Sequence, residues 1–260
     1  MQSIGLIRAS LNNYTVFITG GGSGIGYSTA ILFAKMNANV AVNYLNNDEE
    51  SVRRVNELNK KYPNVSSFPG DVSNEKTAAK IIAKVIKKYS NLNFLINNVG
   101  IGLVKNPIPF KNFDEINDNF WNKIMKVNLM SAYYCSKAAS KYLKITEGSI
   151  INITSISSNG KRGTSIPYAV SKGALETLTS SMAKALAPEV RVNAVSPGFT
   201  KTSMTNQRSK QHKQRMADQT LLKRIAEPEE IAEIIFLLCV SGSYITGETI
   251  NVNGGNGYFY

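Results

Sequence analysis

The sequence predicts an α/β domain: one doubly wound parallel sheet of seven strands with helices on both faces. Three observations carry this expectation. Short β-like apolar runs alternate with longer segments of helical periodicity, the order that parallel strands joined by crossover helices require. A glycine-rich stretch, Thr19–Gly26 (TGGGSGIG), lies between the first such run and the first helical segment. No internal repeat, low-complexity linker or composition break divides the 260 residues, so residues 1–260 read as a single domain.

The elements follow in order. Tyr14–Thr19 is a compact strand, and Ser23–Asn37 reads as the helix after the glycines. Val40–Tyr44 gives the second strand, followed by a helix over Asp48–Tyr62. Val65–Pro69 gives the third. Asn74–Tyr89 carries a helical stripe through Ala78, Ile81, Ile82, Val85 and Ile86. Phe94–Asn97 is the fourth strand, Phe120–Tyr142 one long helix, and Gly148–Thr154 the fifth strand. Pro167–Leu186 is helical, Val190–Ser196 is the sixth strand, Glu229–Cys239 the last helix and Glu248–Val252 the seventh strand.

Composition narrows the function classes. At 28.5 kDa and 43% hydrophobic residues, the chain can bury a substantial core. No apolar run approaches the roughly 20 residues that span a bilayer. Residues 1–13 include Arg8 but lack an apolar core and a small-residue cleavage pattern, so no secretory signal is expected. Cys135 and Cys239 lie in apolar segments without metal-like spacing and read as reduced, buried thiols of a cytoplasmic protein. No metal-ligand cluster is expected. The net charge of +12 is scattered, with no aromatic-interleaved RNA motif, zinc finger or basic tail. It reads as solvated faces plus an anionic cofactor, not as a nucleic-acid or membrane surface.

The chemistry-bearing pattern begins with Tyr168 and Lys172. Four residues apart on a helix, their side chains project from one face, and Ser155 lies thirteen positions upstream. A phenol with a pKa of about 10 is a poor proton donor or acceptor at neutral pH, and an adjacent ammonium shifts it toward phenolate. The glycine turn, opening a helix straight after a strand, suits a dinucleotide pyrophosphate. A proton donor and a nucleotide site together indicate hydride transfer. A Ser-His-Asp hydrolase is disfavoured: His212 is the only histidine, sits in the basic run Arg208–Arg215, and no G-x-S-x-G elbow exists.

The order of these motifs resembles the short-chain dehydrogenase/reductase family from Thr19 to about Gly255, which implies a Rossmann-type sheet. TGGGSGIG is similar to the family's TGxxxGxG turn, so Gly20, Ser23, Gly24, Ile25 and Gly26 are implied cofactor contacts. Asn97–Gly100 (NNVG) resembles its NNAG element, placing Asn98 and Gly100 in that set. Asp71-Val72 fits the adenine-contacting position. Pro197-Gly198 with Thr200 and Thr202 resembles the element at the nicotinamide end. By the same resemblance Tyr168 is proton donor or base, and Lys172 lowers its pKa and holds the nicotinamide ribose. Ser155 bonds the substrate oxygen, with Thr154, Ser157 and Ser158 as neighbouring hydroxyls, and Asn128 orders a water relaying protons to Lys172.

The expected activity is NAD(P)(H)-dependent interconversion of a ketone or aldehyde and a secondary alcohol. The family branches most similar in pattern are the 3-oxoacyl-carrier-protein reductases and the sugar/polyol dehydrogenases. Tyr44 occupies the strand-end position where an acid would select NAD(H), and its lack of charge leans the choice toward NADP(H). Residues 199–224 are expected to form a mobile lid, and Lys201, Arg208, Lys210, Lys213, Arg215, Lys223 and Arg224 would suit an anionic or thioester-linked substrate, or face solvent on an amphipathic helix. Ile101–Phe120, with Pro107, Pro109, Phe110 and Phe113, adds apolar surface near the pocket mouth. Ala187-Pro188-Glu189 lacks the basic residue that carrier-protein reductases often place there. The resemblance implies a homotetramer, with Gly257–Tyr260 suited to an interface. A cofactor-sensing or nucleic-acid-binding regulator on the same fold is the alternative of another class.

Overall fold

The computed structural model describes residues 10–102, 108, 110–159, 163–206 and 208–256. Seven parallel strands form one sheet in the order β3-β2-β1-β4-β5-β6-β7. They are β1 (Thr15–Ile18), β2 (Asn39–Val42), β3 (Val65–Ser67), β4 (Phe94–Asn97), β5 (Ser149–Ile153), β6 (Arg191–Pro197) and β7 (Thr249–Val252). The order reverses between β1 and β4, which pair Val16 with Phe94 and Ile18 with Ile96. A crevice at the carboxyl ends of the strands opens at such a switch point.

The alternation of side chains along each strand divides the core in two. Val16, Ile18, Val40, Val42, Ile96, Ile151 and Val195 face one layer, containing helices α1 (Gly24–Lys35), α2 (Glu49–Lys61) and α9 (Pro228–Val240). Phe17, Ala41, Leu95, Ile150 and Val192 face the other, with α3 (Glu75–Tyr89), α5 (Ser131–Ile145) and α6 (Ile166–Leu186). Burial on both faces is why these strands read as continuous apolar runs. The stripe Ala78, Ile81, Ile82 and Val85 of α3 enters the second layer, as its period predicts. Both cysteines are free and buried, and burial pushes the Cys135 thiol up to about 12.

Three elements depart from the sequence expectation. The helix expected over Phe120–Tyr142 is a rod in three parts: α4 (Asp118–Met125), a π-helical turn over Lys126–Met130, and α5. Its backbone stays right-handed helical through both junctions. A hydrophobic period does not reveal a single widened turn, because the flanking apolar faces survive it. The second strand ends at Val42, two residues before Tyr44, and the Asn43 side chain donates to the Phe68 and Gly70 carbonyls at 2.9 and 3.0 Å. The lid segment 199–224 contains two short helices, α7 (Ser203–Asn206) and α8 (Lys210–Asp218, capped by Ser209). Gly257–Tyr260, Pro107 and Pro109 lie outside the described residues.

One cation ties the start of β6 to the end of α9. Arg191, at the start of β6, donates to the carbonyls of Leu238, Gly242 and Cys239 at 2.7–2.9 Å. It thereby satisfies the last carbonyls of α9, which no intrahelical donor can reach. No described helix is long and apolar enough to cross a membrane.

Candidate active site

The glycine turn leaves β1 at Thr19 and enters α1 at Gly24. Gly20 and Gly24 take left-handed φ of +62° and +52°, a conformation that costs most side chains energy. A Cβ at Gly26 would sit 2.5 Å from Asn98 Nδ2 and 2.6 Å from the Gly20 carbonyl. Asn98 Nδ2 donates to the Thr19 and Gly20 carbonyls at 3.1 and 3.0 Å. Thr19 Oγ1 in turn accepts the backbone N–H groups of Asn98 and Val99 at 3.0 and 3.2 Å. The two loops of the switch point are therefore stitched together. Asn98 acts as the clamp on the turn.

The N-termini of the first three helices differ in a way that bears on the cofactor. Asp48 caps α2 and Asn74 caps α3 with side-chain oxygens, whereas Ser23 makes no side-chain cap to α1, whose first turn has no acid. The first amides of α1, with Ile25 among them, remain available to an external anion, and the helix dipole favours one. These features fit a dinucleotide pyrophosphate.

The remaining cofactor positions surround the crevice. Gly198 receives support from β7 through its N–H to the Val252 carbonyl, and Thr200 Oγ1 donates to the Gly198 carbonyl. Thr202 lies against the glycine turn, its Cγ2 3.0 Å from where a Gly24 Cβ would stand. Pro197 is buried at the end of β6, Val72 is buried, and Asp71 is exposed on the loop after β3, its Oδ1 accepting the Ser73 N–H. Tyr44, the residue at the position read for cofactor choice, lies inside the protein. It is 7% exposed and packed into the α1/α9 core layer.

Tyr168 stands in the first turn of α6, whose N-cap Ser165 accepts the Tyr168 N–H and whose dipole favours negative charge there. Lys172, one turn on, is 3% exposed, and its Nζ donates to the Ile153 carbonyl at the end of β5 at 2.7 Å. Gly100 makes room for this ammonium, since a Cβ there would come 3.1 Å from Nζ. Burial lowers the Lys172 pKa to about 8. Burial also raises that of Tyr168, against a smaller lowering from its hydrogen bond with Ser155. The expectation of a depressed phenol is corrected on this point: desolvation outweighs the hydrogen bond, and Tyr168 is a neutral acid at pH 7.

Among the neighbouring hydroxyls, Thr154 Oγ1 is committed to the Val195 carbonyl at 3.1 Å, and Ser155 is the one bonded to Tyr168. Asn128, on the π-helical turn, is fully buried. Its Oδ1 accepts the Ile101 N–H at 2.8 Å, and its Nδ2 donates to the Ile101 carbonyl at 3.1 Å and to Ser171 Oγ at 3.0 Å. Both amide protons are spent, leaving one Oδ1 lone pair on the Gly100 side, which it shares with Lys172 Nζ. Sequence reasoning named Thr19 only as the start of the glycine turn and Ser157 only as a neighbouring hydroxyl, and it passed over Ser171. Thr19 and Ser171 each adjoin a singled-out residue, which was the only signal available.

Two cations of the lid pair with acids at the start of α9. Lys201 pairs with Glu227, and Arg224 with Glu230 at 2.6 Å, which pulls that carboxyl down to about 2. His212 packs against Phe199 in a tilted arrangement at 5.6 Å between centroids, and burial with Arg208 and Arg215 lowers its pKa. Among the described residues no His, Cys, Asp and Glu cluster could hold a metal.

A glycine-rich turn at the switch point, an uncapped helix behind it and a Ser–Tyr–Lys set on its rim define a nicotinamide-nucleotide oxidoreductase. Comparison with known proteins agrees. A family model described as enoyl-(acyl carrier protein) reductase matches residues 20–256. The 3-oxoacyl-[acyl-carrier-protein] reductase FabG of Staphylococcus epidermidis is 32% identical over 246 residues, covering 94% of this chain and 98% of that protein. An uncharacterized oxidoreductase of Thermotoga maritima is 35% identical over 254 residues, covering 93% and 96%. The crystal structure of the Brucella melitensis short-chain dehydrogenase/reductase SDR:Glucose/ribitol dehydrogenase superposes with a TM-score of 0.87 at 32% identity, covering 98% of this chain and 100% of that one. The chain belongs to the short-chain dehydrogenase/reductase family and is an NAD(P)-dependent oxidoreductase.

Gly24→Val and Gly26→Val are each expected to weaken dinucleotide affinity at least about tenfold in a fluorescence titration, since one strains the left-handed turn and the other displaces Asn98. Lys172→Met is expected to abolish turnover yet stabilise the fold at pH 7 by about 2 kcal/mol: burying the ammonium costs about 3, and orphaning the Ile153 carbonyl returns about 1. The lysine pKa is lower folded than unfolded, so its penalty is complete below about pH 8 and fades toward its unfolded value of 10.5. Denaturant melts of the variant and the parent across that range should converge as pH rises.

Proposed function

We propose that this enzyme reduces the ketone of a 3-oxoacyl thioester or a similar carbonyl compound to a secondary alcohol. The observation that carries this direction is Tyr168, a neutral phenol bonded to Ser155 in the first turn of α6. A bound nicotinamide supplies the hydride. Ser155 and Tyr168 hold the substrate oxygen, so that as its carbon gains the hydride the carbonyl electron pair moves onto an oxygen already hydrogen-bonded. Tyr168 gives that oxygen its proton, and the phenolate left behind faces the positive end of α6 and the Lys172 ammonium before solvent protons restore it. Asn128 keeps the Ile101 backbone and Ser171 in place beside Lys172 and offers its last lone pair to a relay water.

The names support the substrate class: the matching family model and the Staphylococcus epidermidis relative are both described as reductases of acyl-carrier-protein substrates. A second reading, oxidation of a sugar or polyol, is favoured by the glucose/ribitol dehydrogenase likeness. We assign the cofactor as NADP(H) in preference to NAD(H), because the strand-end residue Tyr44 brings no carboxylate to repel a 2′-phosphate. We place the enzyme in the cytoplasm as a homotetramer of single-domain subunits, with Tyr133 of α5 and Val170 of α6 as large exposed side chains on the helices expected to meet.

Tyr168→Phe is expected to abolish turnover with cofactor affinity nearly intact, and retained turnover would remove Tyr168 as the proton donor. NADPH should bind at least about tenfold more tightly than NADH in a direct titration. The reverse order would overturn the assignment made from Tyr44 and turn the substrate search to polyol oxidation.

A further inference from the structure

We infer that Ser171 is a positioning residue for this reaction: by accepting from Asn128 Nδ2 it fixes Asn128 against the helix that carries Tyr168 and Lys172. The inference rests on the roles proposed above for Tyr168, Lys172 and Asn128. Ser171 lies between Tyr168 and Lys172 on α6 and is fully buried. Its Oγ donates to the Tyr168 carbonyl at 2.8 Å and accepts from Asn128 Nδ2 at 3.0 Å.

A serine hydroxyl has one proton and two lone pairs. With that proton committed to the Tyr168 carbonyl, Ser171 can offer Asn128 only an acceptor. The amide must therefore present its NH2 to α6, which leaves Oδ1 on the Gly100 side. A Cβ at Gly100 would stand 3.7 Å from that oxygen and 3.1 Å from Lys172 Nζ. The flipped amide would set a donor beside an ammonium, where a relay water needs an acceptor. The two bonds to Ile101 agree with this orientation, but they tie Asn128 to the loop after β4. Among the described residues, Ser171 supplies the one hydrogen bond from the Asn128 side chain to α6. A buried amide proton left without a partner is costly, so losing the Ser171 oxygen would displace Asn128 from the ammonium it serves.

The test combines Ser171→Ala and Ser171→Cys with Asn128→Ala in double-mutant cycles, read as reduction of acetoacetyl-coenzyme A by NADPH. Cysteine keeps nearly the volume of serine, but its sulfur is a weak acceptor. Each Ser171 variant is expected to lower kcat about five- to tenfold, the worth of one buried hydrogen bond, with cofactor affinity unchanged. In the Asn128→Ala background the same substitutions should lower kcat less than about twofold. Full activity of the Cys variant would overturn the inference. Equal losses in both backgrounds would overturn it too, because Ser171 would then act on α6 alone, as would a loss of rate that tracks lost cofactor affinity. Asn128→Ala by itself separates the inference from the reading beneath it. If that variant is fully active, the relay falls and Ser171 with it; if it is impaired beside a fully active Ser171→Ala variant, only Ser171 falls. A parent enzyme that reduces no such thioester would remove the substrate reading, and the same cycles would then be read in polyol oxidation.

Discussion

The ammonium of Lys172 stands almost out of water, one helical turn from Tyr168, and much of the surrounding architecture answers that constraint. Its one hydrogen-bond partner described is the Ile153 carbonyl, a group freed because β5 ends there. Gly100 leaves room beside the ammonium, where a Cβ would make a tight contact at 3.1 Å, and Asn128 sits nearby on a turn of unusual winding. A charge so placed destabilises the fold, and burial on both faces of the sheet has to offset it. The arrangement trades stability for a dry, fixed positive charge one helical turn from a phenol.

The same economy governs the crevice. A doubly wound sheet opens between β1 and β4 by topology alone, but the loops on either side have no intrinsic reason to keep their spacing. Thr19 and Asn98 supply one, each bonding the backbone of the other's loop. A crevice stitched in this way is rigid before the dinucleotide arrives, which reduces the ordering cost of binding.

Much of this was legible in the chain. Alternating apolar runs specified the sheet and its seven strands, since fully buried parallel strands have little choice of composition. The Tyr168–Lys172 spacing fixed a shared helix face, and the glycine turn marked the switch point. Local patterns failed where one residue's surroundings decided the outcome. The spacing of Lys172 suggested a lowered phenol pKa, but the depth of Tyr168 is a property of the whole packing, and burial reverses the direction. Tyr44 read as the residue that sets cofactor choice, and nothing local records that its side chain is buried in a core layer. Ser171 carried no signal apart from standing beside Lys172.

The π-helical turn at Lys126–Met130 joins two halves of one rod that serve different purposes. Asn128 must face the catalytic helix, while Cys135, Ala139 and Leu143 of α5 must face the sheet. Each residue added to or removed from an α-helix rotates everything beyond it by about 100°. The widened turn sets the phase between the two halves, so the lengths of chain on either side cannot drift independently. An insertion or deletion anywhere between Asn128 and Cys135 would force a choice between a correctly aimed amide and a closed hydrophobic layer, which makes this stretch intolerant of length change.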